Sequence, residues 1–395
     1  MAPLPFKITF KNNQFLLEPK VFIDAKVQSY LQHYLDRASL YKRIGSFQNS
    51  PVLSLYQAPL ASPVGARALW MRAKRRFENK RIPATATVAV NRHCQCLCEH
   101  CSALFYNQAS KSDLPLDQLQ TALHQAVHLG VTNLILLGGE PLLRKDLIHL
   151  IEKVDAQKSV VTLFSNGEFI DNDRAKALQQ AGLMGVFISI DSPQADTHDA
   201  LRRRAGLFQK ALQGIENLLR EGLLVAISSY LSPARVQEGI LDEMMELGKK
   251  LGVHELTFFD AIPSGKWLHH TEQLLQEKDR QIILNRVLYY RKQPTYPGIS
   301  AQSTLTSKSG SAFCFAGNTQ FYLTAHGEMC PCDFTPLSVG KFPEESIETL
   351  WNKMIQSEPY CNRAKSCRMQ DAEFRKKYID GISAEEVNFP IPLLD

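Results

Sequence analysis

Hydrophobic and polar positions change their rhythm twice along the chain. Up to residue 82 the signals are short and mixed. Alternation in Phe6-Lys7-Ile8-Thr9-Phe10 predicts a strand, Lys11-Asn12-Asn13 a turn, and residues 14–17 a returning strand. Val27, Leu31, Tyr34 and Leu35 share one face of a helix predicted over 24–41. The stretch 46–65, with its Pro, Ser and Gly, reads as a connector crossing the surface.

From residue 84 the rhythm becomes regular. Short apolar strands are predicted at 85–90, 133–137, 160–164, 186–190, 224–227 and 256–259. Between them lie helices at 116–129, 147–154, 173–180 and 236–251, and one marked by Phe208, Leu212, Ile215 and Leu219. Strands separated in this way imply parallel β/α units with right-handed crossovers. The pattern stops two units short of a closed eight-stranded barrel, and the chemistry of such folds gathers at the C-terminal ends of the strands. After a helix at 272–292 the alternation is gone, and 311–367 is turn-rich. The fold class expected is therefore α/β: a partial (β/α)6 TIM-type barrel over 83–268, preceded by an α+β segment (1–82). A linking helix and loop (269–310) and a small cysteine-rich domain with a tail (311–395) follow.

Composition narrows the class without changing this layout. Of 395 residues 44% are hydrophobic and 22% charged, ordinary for a globular chain and unlike disordered or collagenous ones. No apolar run approaches the ~18–20 residues of a membrane helix. Lysines interrupt the first fifteen residues, which lack the apolar stretch of a secretory signal. A soluble, cytoplasmic protein without a transmembrane segment is expected. The net charge of +5 is concentrated in 66–81, where seven basic residues meet one acidic residue. One reading is a solvated helix with Leu69, Ala73 and Phe77 packed beneath it. The other is a contact surface for an anionic partner or a membrane surface.

Nine cysteines fall into two groups, Cys94, Cys96, Cys98 and Cys101, then Cys314, Cys330, Cys332, Cys361 and Cys367. Tight groups in a chain long enough to bury its own core favour metal sites over a disulfide framework. Cys94, Cys98 and Cys101 form C-x3-C-x2-C in the loop after the first barrel strand. Three thiolates on one short loop can hold three irons of a four-iron cluster and leave the fourth open; structural zinc with Cys96 as fourth ligand is the competing reading. Later strands end in Leu136-Leu137-Gly138-Gly139-Glu140-Pro141, in Leu163-Phe164-Ser165-Asn166-Gly167, and in Phe187-Ile188-Ser189-Ile190-Asp191-Ser192-Pro193, followed by His198-Asp199 and Leu201-Arg202-Arg203-Arg204-Ala205-Gly206.

Taken together, these motifs over 83–265 resemble the radical S-adenosylmethionine (radical SAM) superfamily. The resemblance implies that Cys94, Cys98 and Cys101 ligate a 4Fe–4S cluster whose open iron binds S-adenosylmethionine. It implies that Gly138, Gly139 and Glu140 meet the methionyl amine through their backbone, that Ser189 and Asp191 lie near the ribose, and that Asn166 shapes that wall. One of Arg202, Arg203 and Arg204 would pair with the carboxylate, with Arg202 taken as the candidate. His100 would stack near the adenine or cover the cluster, and Cys96 would be a spare thiol. Ser228, Ser229, Tyr230 and Asp260, at later strand ends, would line the substrate side; for Asp260 an N-cap or a salt bridge is the structural alternative.

The second group reads Cys314-x12-Gly327-x4-Cys332 and resembles the start of the SPASM and twitch extensions of that superfamily. A hairpin over 320–328 would bring Cys314 and Cys332 to one site. The resemblance implies a second, auxiliary 4Fe–4S cluster held by Cys314, Cys332, Cys361 and Cys367, with Cys330 as a rival ligand and zinc on the same thiolates as the alternative. The activity implied is reductive cleavage of S-adenosylmethionine, followed by hydrogen abstraction from a substrate C–H bond. A peptide or a small anionic metabolite is the expected substrate, and flavodoxin or ferredoxin the electron donor. A lipid- or RNA-modifying enzyme and a non-catalytic iron–sulfur or zinc scaffold or electron carrier are the alternatives.

Overall fold

The N-terminal hairpin forms where alternation places it. β1 (Phe6–Lys11) pairs antiparallel with β2 (Gln14–Pro19), turning at Asn12 and Asn13, both at positive φ, which Asn tolerates better than most residues. α1 (Ala25–Ser39) follows, its first amides capped by the Asp24 carboxylate. Phe6, Ile8, Phe15, Leu31, Leu35 and Leu69 bury one another in a separate small core, each side chain stabilising by about 1.5–3 kcal/mol. The computed structural model describes residues 3–103, 111–306, 312–383, 386 and 388–393, so the expected boundary at 310/311 lies outside the described residues.

The stretch 46–65 does not cross the surface as expected. β3 (Gly45–Phe47) and β4 (Ser50–Val52) form a second hairpin, and the residues after it plug the barrel at the N-terminal ends of its strands. Val52, Leu55 and Ala58 pack against Val160, Phe187, Leu224 and Ala226. The Glu255 carboxylate accepts hydrogen bonds from the Leu55 amide (2.8 Å) and Ser54 Oγ (2.9 Å), fixing the plug to the barrel. An open barrel floor needs an apolar cover, and Val52-Leu53-Ser54-Leu55-Tyr56 supplies it.

α2 (Pro63–Phe77) starts at a Ser62 cap with proline in its first turn and carries most of the basic stretch. Four guanidiniums of that stretch are engaged within the fold. Arg67 is buried and donates to the carbonyls of Val131 (2.8 Å), Lys158 (2.9 Å) and Val127. Arg75 donates to the Ile82 carbonyl and Arg72 to Tyr30 Oη, while Arg81 reaches the Tyr360 carbonyl. Four of the seven cations of 66–81 thereby hold neighbouring elements together, while Arg72, Arg76 and Lys80 stay exposed. Leu69 and Ala73 are buried as expected, whereas Phe77 is 45% exposed.

The barrel alternates as the sequence implies: β5 (Thr85–Ala89), α3 (Leu116–Leu129), β6 (Asn133–Leu137), α4 (Leu147–Glu152), β7 (Val160–Ser165), α5 (Asn172–Gln180), β8 (Gly185–Ser189), α6 (Ala195–Arg202), α7 (Leu207–Arg220), β9 (Leu224–Leu231), α8 (Pro233–Gln237), α9 (Ile240–Leu251) and β10 (Glu255–Asp260). These six strands are parallel and adjacent. Beyond α10 (Glu277–Arg291), β11 (Gly298–Ala301) adds a parallel strand beside β10, and after α11 (Ser303–Thr306) β12 (Gln320–Leu323) adds one beside β5. β13 (Met329–Cys330) returns antiparallel on β12 as the predicted hairpin. The sheet order is β11-β10-β9-β8-β7-β6-β5-β12-β13, open between its two ends. β11, four residues long, does not announce itself in sequence, whereas β12 is the first strand of the hairpin expected over 320–328.

The C-terminal region continues through β14 (Leu337–Ser338), α12 (Ile347–Gln356), α13 (Ala372–Tyr378) and β15 (Ile391–Pro392). Trp351 of α12 is fully buried against Phe321 of β12, and its Nε1–H donates to the Arg81 carbonyl. The domain is thereby locked to both the barrel and the N-terminal unit.

Candidate functional site

The loop after β5 carries the first cysteine group and is held from three sides. Asn91 Nδ2 donates to the Glu140 carbonyl (2.8 Å), the Gly139 amide to the Asn91 carbonyl (3.0 Å) and the Glu140 amide to the His93 carbonyl (2.6 Å). A Cβ at Gly139 would lie 2.2 Å from the His93 oxygen, and one at Gly138 2.5 Å from that of Asn91. The glycines after β6 therefore let the cysteine loop itself approach. On the far side Gly265, at φ +54, abuts the Cys101 carbonyl, where a Cβ would sit 2.0 Å away. The amides of Leu97 and Glu99 donate to the carbonyls of Arg202 and Leu201.

Cys94, Cys96, Cys98 and Cys101 converge with Leu207 in one small apolar nest. Cys96 contacts both Cys94 and Cys98 and accepts from Asn166 Nδ2 (3.7 Å). Arg202 Nη1 stands 3.8 Å from Cys98 Sγ. The Cys98 thiol is drawn down to about 6, first by its bond with Cys96 and then, against burial, by Arg202. A nest of thiols beside a fixed guanidinium suits an anionic thiolate-bound cluster.

At the end of β8, Asp191 is buried and pairs with Arg202 Nε (2.6 Å) and His100 Nε2 (3.3 Å). Arg203, at φ +51, ends α6 and separates the arginines: Arg202 turns inward, Arg203 meets Glu99 outside, and Arg204 meets Glu168. His100 lies on Tyr230 (ring centroids 4.4 Å) beside Trp267, and burial lowers it to about 4. Ser228 Oγ donates to Ser189 Oγ (3.3 Å), and Ser229 Oγ accepts from Arg235. Arg235 also holds the Tyr230 and Asp191 carbonyls. Glu140 bridges the ends of β6 and β7, accepting from the Leu142 amide (3.1 Å), Ser165 Oγ (2.8 Å) and the Asn166 amide (2.8 Å). Burial raises its carboxyl to about 7.

Below this site the barrel interior is aromatic. Phe164 of β7 stacks on Phe187 of β8 (4.3 Å, 8°), Phe187 meets Tyr56 of the plug (4.7 Å), and Phe164 meets Phe259 of β10 (6.1 Å). β7 and β10 are not neighbours, so these rings meet across the curled sheet. Phe334, two residues after Cys332, reaches Phe259 (6.0 Å). Opposite stand Thr87, Gln320 and Asp333, joined through Gln320 Nε2. Asp260 serves structure: it bonds Arg280 (3.0 Å), Gln370 (2.9 Å) and Ser303, tying β10 to the C-terminal domain.

In the second group the free thiols of Cys314 and Cys367 share a hydrogen bond, and Cys332 lies in electrostatic range of both. The buried ring of Tyr360 packs nearby. Cys361 is not brought to them: it is exposed, with its thiol on the Glu358 carbonyl (3.2 Å). Cys330 is fully buried in β13, opposite Tyr322. Sequence reasoning passed over Asp333 and Phe334, although both directly follow Cys332, and over Tyr56, hidden in an apparent connector.

Residues 88–234 match the model of the radical SAM superfamily, and residues 314–377 that of SPASM, an iron–sulfur cluster-binding domain. The chain is 25% identical over 277 residues to an AdoMet-dependent heme synthase of Methanosarcina barkeri, covering 65% of this chain and 79% of that one. It is 27% identical over 258 residues to a GTP 3',8-cyclase of Helicobacter pylori, covering 62% and 78%. Among solved structures, Streptococcus suis SuiB bound to S-adenosylmethionine superposes with TM-score 0.56 at 11% identity, covering 96% of this chain and 88% of that one. The anSMEcpe structure with bound AdoMet and Cp18Cys peptide gives 0.53 at 18%, covering 75% and 86%. At these identities the solved structures speak to the fold. No helix among the described residues is long and apolar enough to cross a membrane.

Proposed function

Since this chain is a radical SAM enzyme with a C-terminal SPASM domain, we propose that Cys94, Cys98 and Cys101 hold its S-adenosylmethionine-binding cluster and that the aromatic chamber beneath receives a peptide side chain. When bound, the cluster supplies the electron that cleaves S-adenosylmethionine to methionine and a 5′-deoxyadenosyl radical, which takes hydrogen from a substrate C–H bond. The chain's own residues position and enclose. Arg202, held by Asp191, offsets the negative charge of the thiolates. Gly138, Gly139 and Glu140 bring the cysteine loop against β6, while Asn166, Ser189 and Asp191 shape the cofactor wall. Cys314, Cys332 and Cys367 hold the auxiliary cluster.

One observation carries the substrate reading. Tyr56, Phe164, Phe187, Phe259 and Phe334 form a chain of ring contacts inside the barrel, Gln320 bonds Asp333, and Arg202, Arg235 and Arg280 are already paired. A phosphate or polycarboxylate would need an unpaired cation to offset its desolvation, so the small anionic metabolite is the poorer fit. Aromatic walls suit the apolar stem of a peptide side chain. The test is deuterium transfer: anaerobic holoenzyme with peptides deuterated at single side chains should place deuterium in 5′-deoxyadenosine. Transfer from a phosphorylated or carboxylated metabolite, with none from any peptide, would overturn the reading.

A further inference from the structure

We infer that the outer face of the cysteine loop, centred on Leu97 and rimmed by Arg203, Arg204, Lys210 and Lys266, docks a small acidic electron-carrier protein. Leu97 is 54% exposed, although thiol-bearing residues flank it on either side in sequence. The cations are fixed around it through the loop. Lys266 Nζ donates to the Leu97 carbonyl (3.3 Å), and Arg203 pairs with Glu99 (3.2 Å). Arg204 and Lys210 meet on Glu168 (2.7 Å each), which also accepts from Gln95 of the loop (2.7 Å). The side chains of Arg203, Arg204 and Lys210 remain 56%, 40% and 54% exposed, while that of Glu168 is 2% exposed. Glu99, 48% exposed, is the opposing carboxylate within this rim.

An exposed leucine inside a ring of cations is the anatomy of a transient docking patch: an apolar centre for contact and charge for steering. Its place selects the partner. Leu97 is exposed between the buried Cys96 and Cys98 of the thiol nest, so a protein seated there would approach the cluster from the surface. The step balances as a single electron transfer. An anionic flavin hydroquinone of the carrier loses one electron to become the neutral semiquinone, no proton moves, and a four-iron cluster held by the loop would gain the electron.

This inference rests on the cysteine loop holding the S-adenosylmethionine-binding cluster. The test follows bleaching of the reconstituted holoenzyme's iron–sulfur absorbance after mixing with reduced flavodoxin, at low and high salt, with dithionite run in parallel. The wild-type flavodoxin rate should fall as salt rises. Leu97→Ser with Arg203→Gln and Lys266→Gln should lower it about tenfold at low salt and flatten its salt dependence, leaving dithionite reduction unchanged. Glu99→Gln should move the rate upward. A flavodoxin rate unaltered in both variants would overturn the docking surface. Failure of dithionite to reduce the wild-type cluster would instead overturn the premise that the loop holds one.

Discussion

The Arg202 guanidinium lies 2.6 Å from the Asp191 carboxylate and 3.8 Å from Cys98 Sγ, joining the end of β8 to the cysteine loop through one buried cation. Removing one partner of a buried pair leaves the other charge uncompensated, at about 3–5 kcal/mol. Arg202→Met is therefore expected to lower stability by about 3 kcal/mol in chemical denaturation and to weaken S-adenosylmethionine binding in equilibrium dialysis. Burial alone would raise the Asp191 carboxyl, but Arg202 and then His100 outweigh it and hold the group well below its ordinary value. The stability this pair contributes is thus present above the ordinary carboxylate range and is lost as pH falls through and below it.

Gly139→Ala tests the close approach of loop and strand. The new Cβ would overlap the His93 oxygen, displacing the cysteine loop while β6 stays in place. Reconstituted protein should lose about half of the roughly eight irons of two four-iron clusters, with far-ultraviolet circular dichroism unchanged.

Glu140 makes the opposite pH prediction to Asp191. Its carboxyl is raised to about 7 by burial, so between its unfolded value and about 7 the folded state binds more protons than the unfolded. Stability should decline as pH rises through that window. Glu140→Gln should remove this slope in thermal unfolding of the cluster-free protein, whatever its effect on absolute stability.

Much of the architecture was legible because its signals are local. The six barrel strands and their helices follow from apolar runs and periodicity, and the β12–β13 hairpin from Gly327 between polar neighbours. The plug at 46–65 was illegible for a physical reason. Its Pro, Ser and Gly mark turns, but nothing local says that Leu55 and Tyr56 turn into a barrel floor assembled a hundred residues later. Similarly, the charge of 66–81 was visible while its partners were not, since Arg67 finds carbonyls on α3 and near β7. At the site the motif residues stood out, whereas the aromatic wall is scattered over β7, β8, β10 and two loops, and only curvature unites it.

The second cysteine group separates Cys361 from the rest. Cys367→Ala removes a thiol hydrogen-bonded to Cys314 and should cost the auxiliary cluster, about four irons per chain. Cys361→Ala removes an exposed thiol turned onto a backbone carbonyl and should leave the iron content unchanged. Equal losses in the two variants would place Cys361 in the ligand set.

The most direct test of the account is 5′-deoxyadenosine, measured by mass spectrometry after dithionite reduction of holoenzyme with S-adenosylmethionine and no substrate. Replacing Cys94, Cys98 and Cys101 by alanine removes the thiols beside Arg202 and should abolish its formation. Replacing Cys314, Cys332 and Cys367 should leave it detectable, with the barrel intact by circular dichroism. Cleavage surviving in the first variant would contradict the central claim.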